Sequence, residues 1–99
     1  EGRPSREGLY MDVQASVEYV FSSREIDTEK VYVMGVSLGG GPCLYAATEC
    51  EDSHRFKGII LKNTYTELAD VIGWRLCLTC LFRKLLRDWR NIDRIKKVK

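Results

Sequence analysis

Gly35-Val36-Ser37-Leu38-Gly39 sets a serine midway between two glycines, after the run Val31-Tyr32-Val33-Met34 and ahead of a stretch from Pro42 to Glu49 with helical composition. This G-x-S-x-G spacing, between a strand and a helix, is that of a nucleophile elbow. A serine on so tight a turn takes strained backbone angles, and its neighbours two residues away must be very small for the helix to approach the strand. Gly35 and Gly39 meet that need. The turn lifts the Ser37 hydroxyl clear of the sheet, and the backbone amide of Leu38, at the helix start, points to where an oxyanion would form. The chemistry would be acyl transfer through a covalent ester on Ser37. Two other readings compete. One is a glycine-rich turn whose serine merely caps the helix. The other is a phosphate loop, which lacks its lysine because no Gly-Lys-Ser/Thr follows Gly35 at the required spacing.

The elements that must position this serine follow from periodicity. Residues 1 to 8 read as a loop, with Gly2, Pro4, Ser5 and Gly8, and Leu9, Val13, Val17, Val20 and Phe21 then recur at the 3.6-residue period of an amphipathic helix. Val31 to Val36 is a β-branched and aromatic run with little alternation, which predicts a central parallel strand buried on both faces. Cys43, Leu44, Ala46, Ala47 and Cys50 give the following helix small and medium apolar positions for packing on a sheet, and Phe56 to Leu61 is a second buried strand. The result is a strand-helix-strand unit of an α/β layer fold. Two parallel strands cannot stand alone, since both faces and both edges need covering, so the unit is structurally incomplete or relies on a partner. From Tyr65 to about Arg90, Trp74, Leu78, Leu81, Leu85 and Trp89 recur every three or four residues and predict helix.

Composition sets the outer bounds. Ninety-nine residues that are 44% hydrophobic and 30% charged, with two prolines and eight glycines, make one small domain or a piece of one and exclude a disordered or collagen-like chain. The longest nearly apolar run, Val71 to Phe82, is broken by Arg75 and falls short of the roughly 20 residues of a membrane-spanning helix. The chain starts at Glu1 without a basic-then-apolar leader and reads as an excerpt of something longer. Its four cysteines are too few for a disulfide scaffold and read as reduced core thiols; Cys77 and Cys80 form a C-x-x-C with no second ligand pair to complete a zinc site, so no metal is expected. Charge is uneven. Arg83 to Lys99 holds eight basic residues against Asp88 and Asp93, a net of +6, which leaves −4 for residues 1 to 82 within the total of +2. Such a basic end suits phospholipid headgroups, or is simply a solvated helix face; no stacking platform or motif supports nucleic acid.

Val31 to Ala47, VYVMGVSLGGGPCLYAA, resembles the elbow region of α/β-hydrolases, in particular the membrane-associated eukaryotic branch of the bud-emergence hydrolases and palmitoyl-protein thioesterases. Gly2-Arg3-Pro4-Ser5-Arg6-Glu7-Gly8, then Leu9-Tyr10-Met11-Asp12, and Ile59 to Thr66 after the second strand carry the same likeness. It covers roughly residues 1 to 72 and again 92 to 99. Val36 stands where these relatives often have a polar or basic residue, and Lys62 where many have an acid; both bear on substrate choice. The resemblance implies a fragment of an α/β-hydrolase parallel sheet, in the order helix, strand, elbow, helix, strand, followed by a helical cap region. It divides the chain into a core segment over 1–64, a cap or lid over 65–91 and a lead-in to a following strand over 92–99. It also implies a serine hydrolase of esterase or thioesterase type, needing no cofactor, in an intracellular and membrane-associated parent.

Triad order in this fold is serine, acid, histidine, so the resemblance puts both partners of Ser37 beyond Lys99 and the other oxyanion donor before Glu1. His54, the single histidine, is expected at the far end of a helix of about 13 residues, near 20 Å from the serine. Asn63, Thr64 and Tyr65, at the returning end of the second strand, are the pocket candidates. The alternative to an enzyme is a non-catalytic hydrolase-like module that binds a membrane or protein partner through a basic amphipathic helix bearing Arg83, Lys84, Arg87 and Arg90.

Overall fold

The computed structural model describes residues 5–68 and 90–98. The predicted cap helix, the C-x-x-C of Cys77 and Cys80, and Arg83, Lys84 and Arg87 lie outside them.

Helix α1 spans Arg6–Ser22. It starts three residues earlier than the apolar period suggests, because the extended Ser5 accepts the Gly8 N–H on its hydroxyl at 3.0 Å and Glu7 lies in the positive first turn. Its buried side chains are Val17 and Phe21, one helical turn apart. A short turn at Thr28–Lys30, capped by Asp27, leads into strand β1, Tyr32–Val36. A 3-10 turn over Ser37–Gly39 passes directly into helix α2, Gly40–Thr48. A second such turn, Glu51–Arg55, delivers the chain to strand β2, Gly58–Lys62.

β1 and β2 pair in parallel with Tyr32 opposite Gly58 and Val36 opposite Lys62. This is the expected strand-helix-strand unit. The register places Val33, Gly35, Ile59 and Leu61 on one face and Tyr32, Met34, Val36 and Ile60 on the other. Only the first face is covered. Tyr32 is 61% exposed and Met34 57%, so the expectation of a strand buried on both faces is not met. The reason is physical: the core that α1 and α2 form packs around Val33, and Tyr32, Met34, Val36 and Ile60 remain exposed.

The core lies between the helices and that covered face. Val17 and Phe21 of α1 meet Ala46 and Cys50, with Val31, Val33 and Phe56 packed around them. Phe21 and Phe56 sit edge to face at 5.1 Å, and the Arg55 guanidinium lies 4.3 Å over the Phe21 ring. Leu44 is 1% exposed, the deepest large side chain of α2. Between α1 and β1 an apolar groove of about 560 Å³, lined by Leu9, Val13, Val33 and Cys43 among others, remains open.

Helix α3, Asn91–Ile95, lies against α2. The Arg94 guanidinium sits 5.0 Å over Tyr10, whose ring stacks on Tyr45 at 4.0 Å. Lys97 pairs with Glu49 at 2.8 Å. Glu67 and Arg90, expected within one helical region, instead form an antiparallel bridge reinforced by an ion pair at 3.0 Å, with the Ile92 N–H donating to the Thr66 carbonyl at 3.1 Å. Apolar spacing inside a segment does not specify where its ends meet. Among the described residues no helix is long and apolar enough to cross a membrane, and no cluster of metal-ligating side chains occurs.

Close approach of α2 to the strands rests on two glycines. A Cβ on Gly35 would stand 2.6 Å from the Cys43 Cβ and 2.6 Å from the Gly39 carbonyl oxygen, and one on Gly40 would overlap the Thr64 side chain. Gly39 differs: its Cβ would meet no described atom within 4 Å, and its φ is −63°. Small size is therefore demanded at Gly40, where the sequence reading placed the demand on Gly39. Gly40→Ala is expected to destabilise the protein by ~1–3 kcal/mol through overpacking. Gly39→Ala is expected to be neutral or stabilising by up to ~1 kcal/mol. Urea unfolding of the two variants checks the contrast.

Cys43 and Cys50 are buried free thiols. Burial pushes both upward from the usual cysteine value, and for Cys50 the carboxylates of Glu18, Asp52 and Glu49 add to it. Folding thus favours the neutral thiol. That contribution is whole below the unfolded thiol's value and is lost as pH rises through the raised folded one. Peptide mapping at pH 8 should find both cysteines alkylated by iodoacetamide at least ~10-fold more slowly in native than in urea-unfolded protein.

Candidate active site

Ser37 follows the last residue of β1 and opens the turn into α2. Its φ is +50°, a left-handed value that only it and Asn63 adopt among the described non-glycine residues. Such a conformation costs a serine about 1–2 kcal/mol, so neighbouring structure must hold it. The holding contact is visible. Thr64 Oγ1 donates to the Ser37 carbonyl oxygen at 2.9 Å, joining the end of β2 to the elbow.

The caps bear on the alternative role of the serine. Gly39 is the N-cap of α2 and has no side chain to offer, and the preceding turn is entered through Val36 without a side-chain cap. Ser37 is exposed, and among the described residues its hydroxyl makes no hydrogen bond. Ser37 is thus a left-handed serine at a strand-to-helix junction, with no hydrogen bond to its hydroxyl among the described residues. Leu38 follows inside the 3-10 turn, its side chain 57% exposed.

The other sequence-predicted residues divide. Asn63 is exposed and shares the left-handed φ of +50°, adjacent to Lys62, which pairs with Val36. Thr64 is half-buried, bonded to the elbow and packed against Gly40. Tyr65 is also half-buried. Burial of its hydroxyl raises its pKa, nearby Tyr10 adds to the rise, and Asn91 and Arg94 act the other way. His54 lies in the turn beyond the C-terminus of α2, exposed, its Nδ1 3.2 Å from the Glu51 carbonyl oxygen. The nine residues of α2 alone interpose about 14 Å of helix between it and the elbow, and the 3-10 turns at either end lie in the same interval. Arg90, one of the four basic residues expected on a membrane-facing helix, is paired with Glu67 at 3.0 Å and Asp93 at 3.4 Å.

One residue escaped sequence reading. Asn91 is 3% exposed, and its Nδ2 donates to the Tyr65 carbonyl at 2.9 Å and to Thr64 Oγ1 at 3.4 Å. Nothing in the spacing around Arg90-Asn91-Ile92 marks it, because its partners lie 26 and 27 positions away.

Known proteins share this segment. The chain is 31% identical over 112 aligned residues to the α/β hydrolase domain-containing protein WAV2 of Arabidopsis thaliana, an alignment that covers all of this chain and 36% of that protein. Protein bem46 of Schizosaccharomyces pombe is 30% identical over 100 residues, covering 99% of this chain and 33% of its own length. An uncharacterized membrane protein of Saccharomyces cerevisiae, YNL320W, is 33% identical over 93 residues, 94% of this chain and 32% of that one. No family model matches the chain, and no solved structure matches it significantly. The chain spans about a third of the length of these curated relatives. Over its whole length the chain is similar, at modest identity, to α/β-hydrolase domain proteins of the bud-emergence type, and its parallel strand, serine turn, helix and second strand are consistent with a fragment of the α/β-hydrolase fold.

Proposed function

We propose that the protein is a serine hydrolase that cleaves an ester, thioester or lipid-like acyl substrate through an acyl-enzyme on Ser37. The observation that carries this reading is the conformation of Ser37: φ +50° at the mouth of a parallel sheet, held from behind by Thr64, with an exposed hydroxyl that makes no hydrogen bond among the described residues. A turn that only capped a helix would have no use for that strain.

The proposed reaction is acyl transfer in two steps. Ser37 Oγ forms a bond to the acyl carbonyl carbon while a general base takes the hydroxyl proton, and the carbonyl oxygen becomes a tetrahedral oxyanion. The Leu38 amide is one proposed donor to that oxyanion. Collapse expels the alcohol or thiol, which receives the proton from the base. Water then attacks the acyl-serine in the same sense, releasing the acid and restoring the hydroxyl. The described residues bring no base to Ser37, and His54 is on the wrong side of α2 to serve. On this reading the base and its orienting acid, like the other oxyanion donor, come from outside the described residues.

Within this reading residues 1–64 are the core segment with its elbow, 65–91 the cap and 92–99 the lead-in to a further strand. The apolar character of the elbow's surroundings, with Val36 and Leu38 exposed on either side of Ser37, suits an acyl chain better than a charged leaving group.

A fluorophosphonate probe tests the nucleophile directly: Oγ bonds phosphorus, fluoride leaves and the base takes the proton. The full gene product is expected to be labelled at Ser37, and Ser37→Ala to lose the label entirely while keeping its melting temperature within a few degrees. Equal labelling of the variant overturns the assignment.

A further inference from the structure

We propose that Thr64 and Asn91 are positioning residues for the nucleophile, forming a relay that fixes the proton of one hydroxyl on the backbone of Ser37. The inference rests on the reading of Ser37 as nucleophile and adds how its geometry is maintained.

The orientation of each group in the relay is determined by its partners. The Asn91 side chain faces the Tyr65 carbonyl at 2.9 Å, and a carbonyl accepts only, so the Asn91 atom there is Nδ2. An amide nitrogen carries two protons. The second points to Thr64 Oγ1 at 3.4 Å. A hydroxyl that accepts from Asn91 is left with its single proton to give, and the acceptor in reach is the Ser37 carbonyl oxygen at 2.9 Å. Without Asn91 the Thr64 hydroxyl could turn elsewhere; with it, the donor is aimed at the elbow before substrate arrives. The chain is sheltered as well as directional, since Asn91 is 3% exposed and Thr64 packs on the bare face of Gly40.

What the relay holds is a strained group. Ser37 at φ +50° has an extended alternative at lower backbone energy, and rotation toward it would carry Oγ away from its place above the sheet. A bond to the carbonyl of the same residue resists that rotation at its pivot. Displacement of a reacting group by about 1 Å can cost on the order of 100-fold in rate, so a bond that makes no contact with substrate still governs reactivity.

The relay also has an address. Asn91 follows Arg90, whose bridge to Glu67 brings residues 64–67 beside residues 90–92. The Ile92 N–H on the Thr66 carbonyl at 3.1 Å ties the same junction. A sequence change that disturbs this junction reaches Ser37 through one amide and one hydroxyl.

The test is the rate of fluorophosphonate reaction at Ser37 in the full gene product, measured per folded molecule beside the melting temperature. Thr64→Val keeps the shape that packs on Gly40 and removes the proton; it is expected to slow the reaction by about tenfold or more with little change in apparent affinity for the probe. Thr64→Ser restores the hydroxyl and should return the rate to within about threefold of wild type. Asn91→Ala should slow it by a smaller factor, about threefold, because the hydroxyl remains but is no longer aimed. Wild-type rate in folded Thr64→Val, or a Thr64→Ser as slow as the valine variant, overturns the relay while leaving Ser37 as nucleophile. Should Thr64→Val not fold, Asn91→Ala decides alone, wild-type rate overturning the proposal. An unlabelled wild-type protein removes the nucleophile reading itself, and the relay with it.

Discussion

Helix α2 can lie on the sheet only if the chain turns from strand to helix within the three residues Ser37–Gly39, and the residue that takes the left-handed conformation in that turn is a serine, not a glycine. The other features near the elbow answer this constraint. Gly35 lets the Gly39 backbone and Cys43 come down on the strand, Gly40 makes room for Thr64, and Thr64 in turn bonds the residue that bears the strain. A glycine at position 37 would relieve about 1–2 kcal/mol of that strain and would supply no hydroxyl. The cost is met by the bond from Thr64 and by the packing that brings β2 alongside β1, with Val36 and Lys62 in register at the end where both matter.

Parallel pairing of β1 and β2 is itself indirect. Its crossover helix must be buried, and α2 buries Cys43, Leu44 and Ala46, of which Ala46 joins the core with Val17, Phe21 and Val33. Burial of Leu44 contributes about 1.5–3 kcal/mol, comparable in size to the strain at Ser37. On the other flank α3 holds α2 through charges and rings: Arg94 over the stacked pair Tyr10 and Tyr45, and Lys97 on Glu49. The exposed Lys97 pair adds little by itself. Arg94, with its side chain only 14% exposed, contributes more by packing its planar group on two rings than by its 4.0 Å approach to Glu49.

The amino-acid order reveals the strand, turn, helix and strand around Ser37 because each has a local signature: β-branched runs, a glycine-flanked serine, small apolar residues at helical spacing. It reveals the helix before them less sharply, since Ser5 caps α1 through Gly8 rather than through an acidic side chain at that position. The long-range closures are not legible at all. Glu67 with Arg90, and Asn91 with Thr64 and Tyr65, are pairs more than twenty positions apart whose partners are ordinary surface residue types. Nor can three successive glycines announce which one meets a threonine from another element. Val31 to Val36 misleads for a different reason: it is apolar on both faces, yet the helices of this segment cover one.

That bare face bears on where the remaining chemistry must come from. Tyr32, Met34, Val36 and Ile60 form an exposed apolar surface that a two-strand sheet cannot leave to water without penalty, at about 25 cal/mol for each Å² of apolar area. The relatives are about three times as long as this segment. In a parallel α/β sheet further strands and helices cover both faces, and the loops that follow the strands converge at their carboxyl ends. Ser37 stands at that end of β1, and Asn63, the other left-handed residue, at the same end of β2. Under the proposed mechanism a base and a second oxyanion donor must approach from that rim, because α2 blocks the opposite direction. On that mechanism the described residues contribute the nucleophile and its fastening, and the proton acceptor comes from outside them.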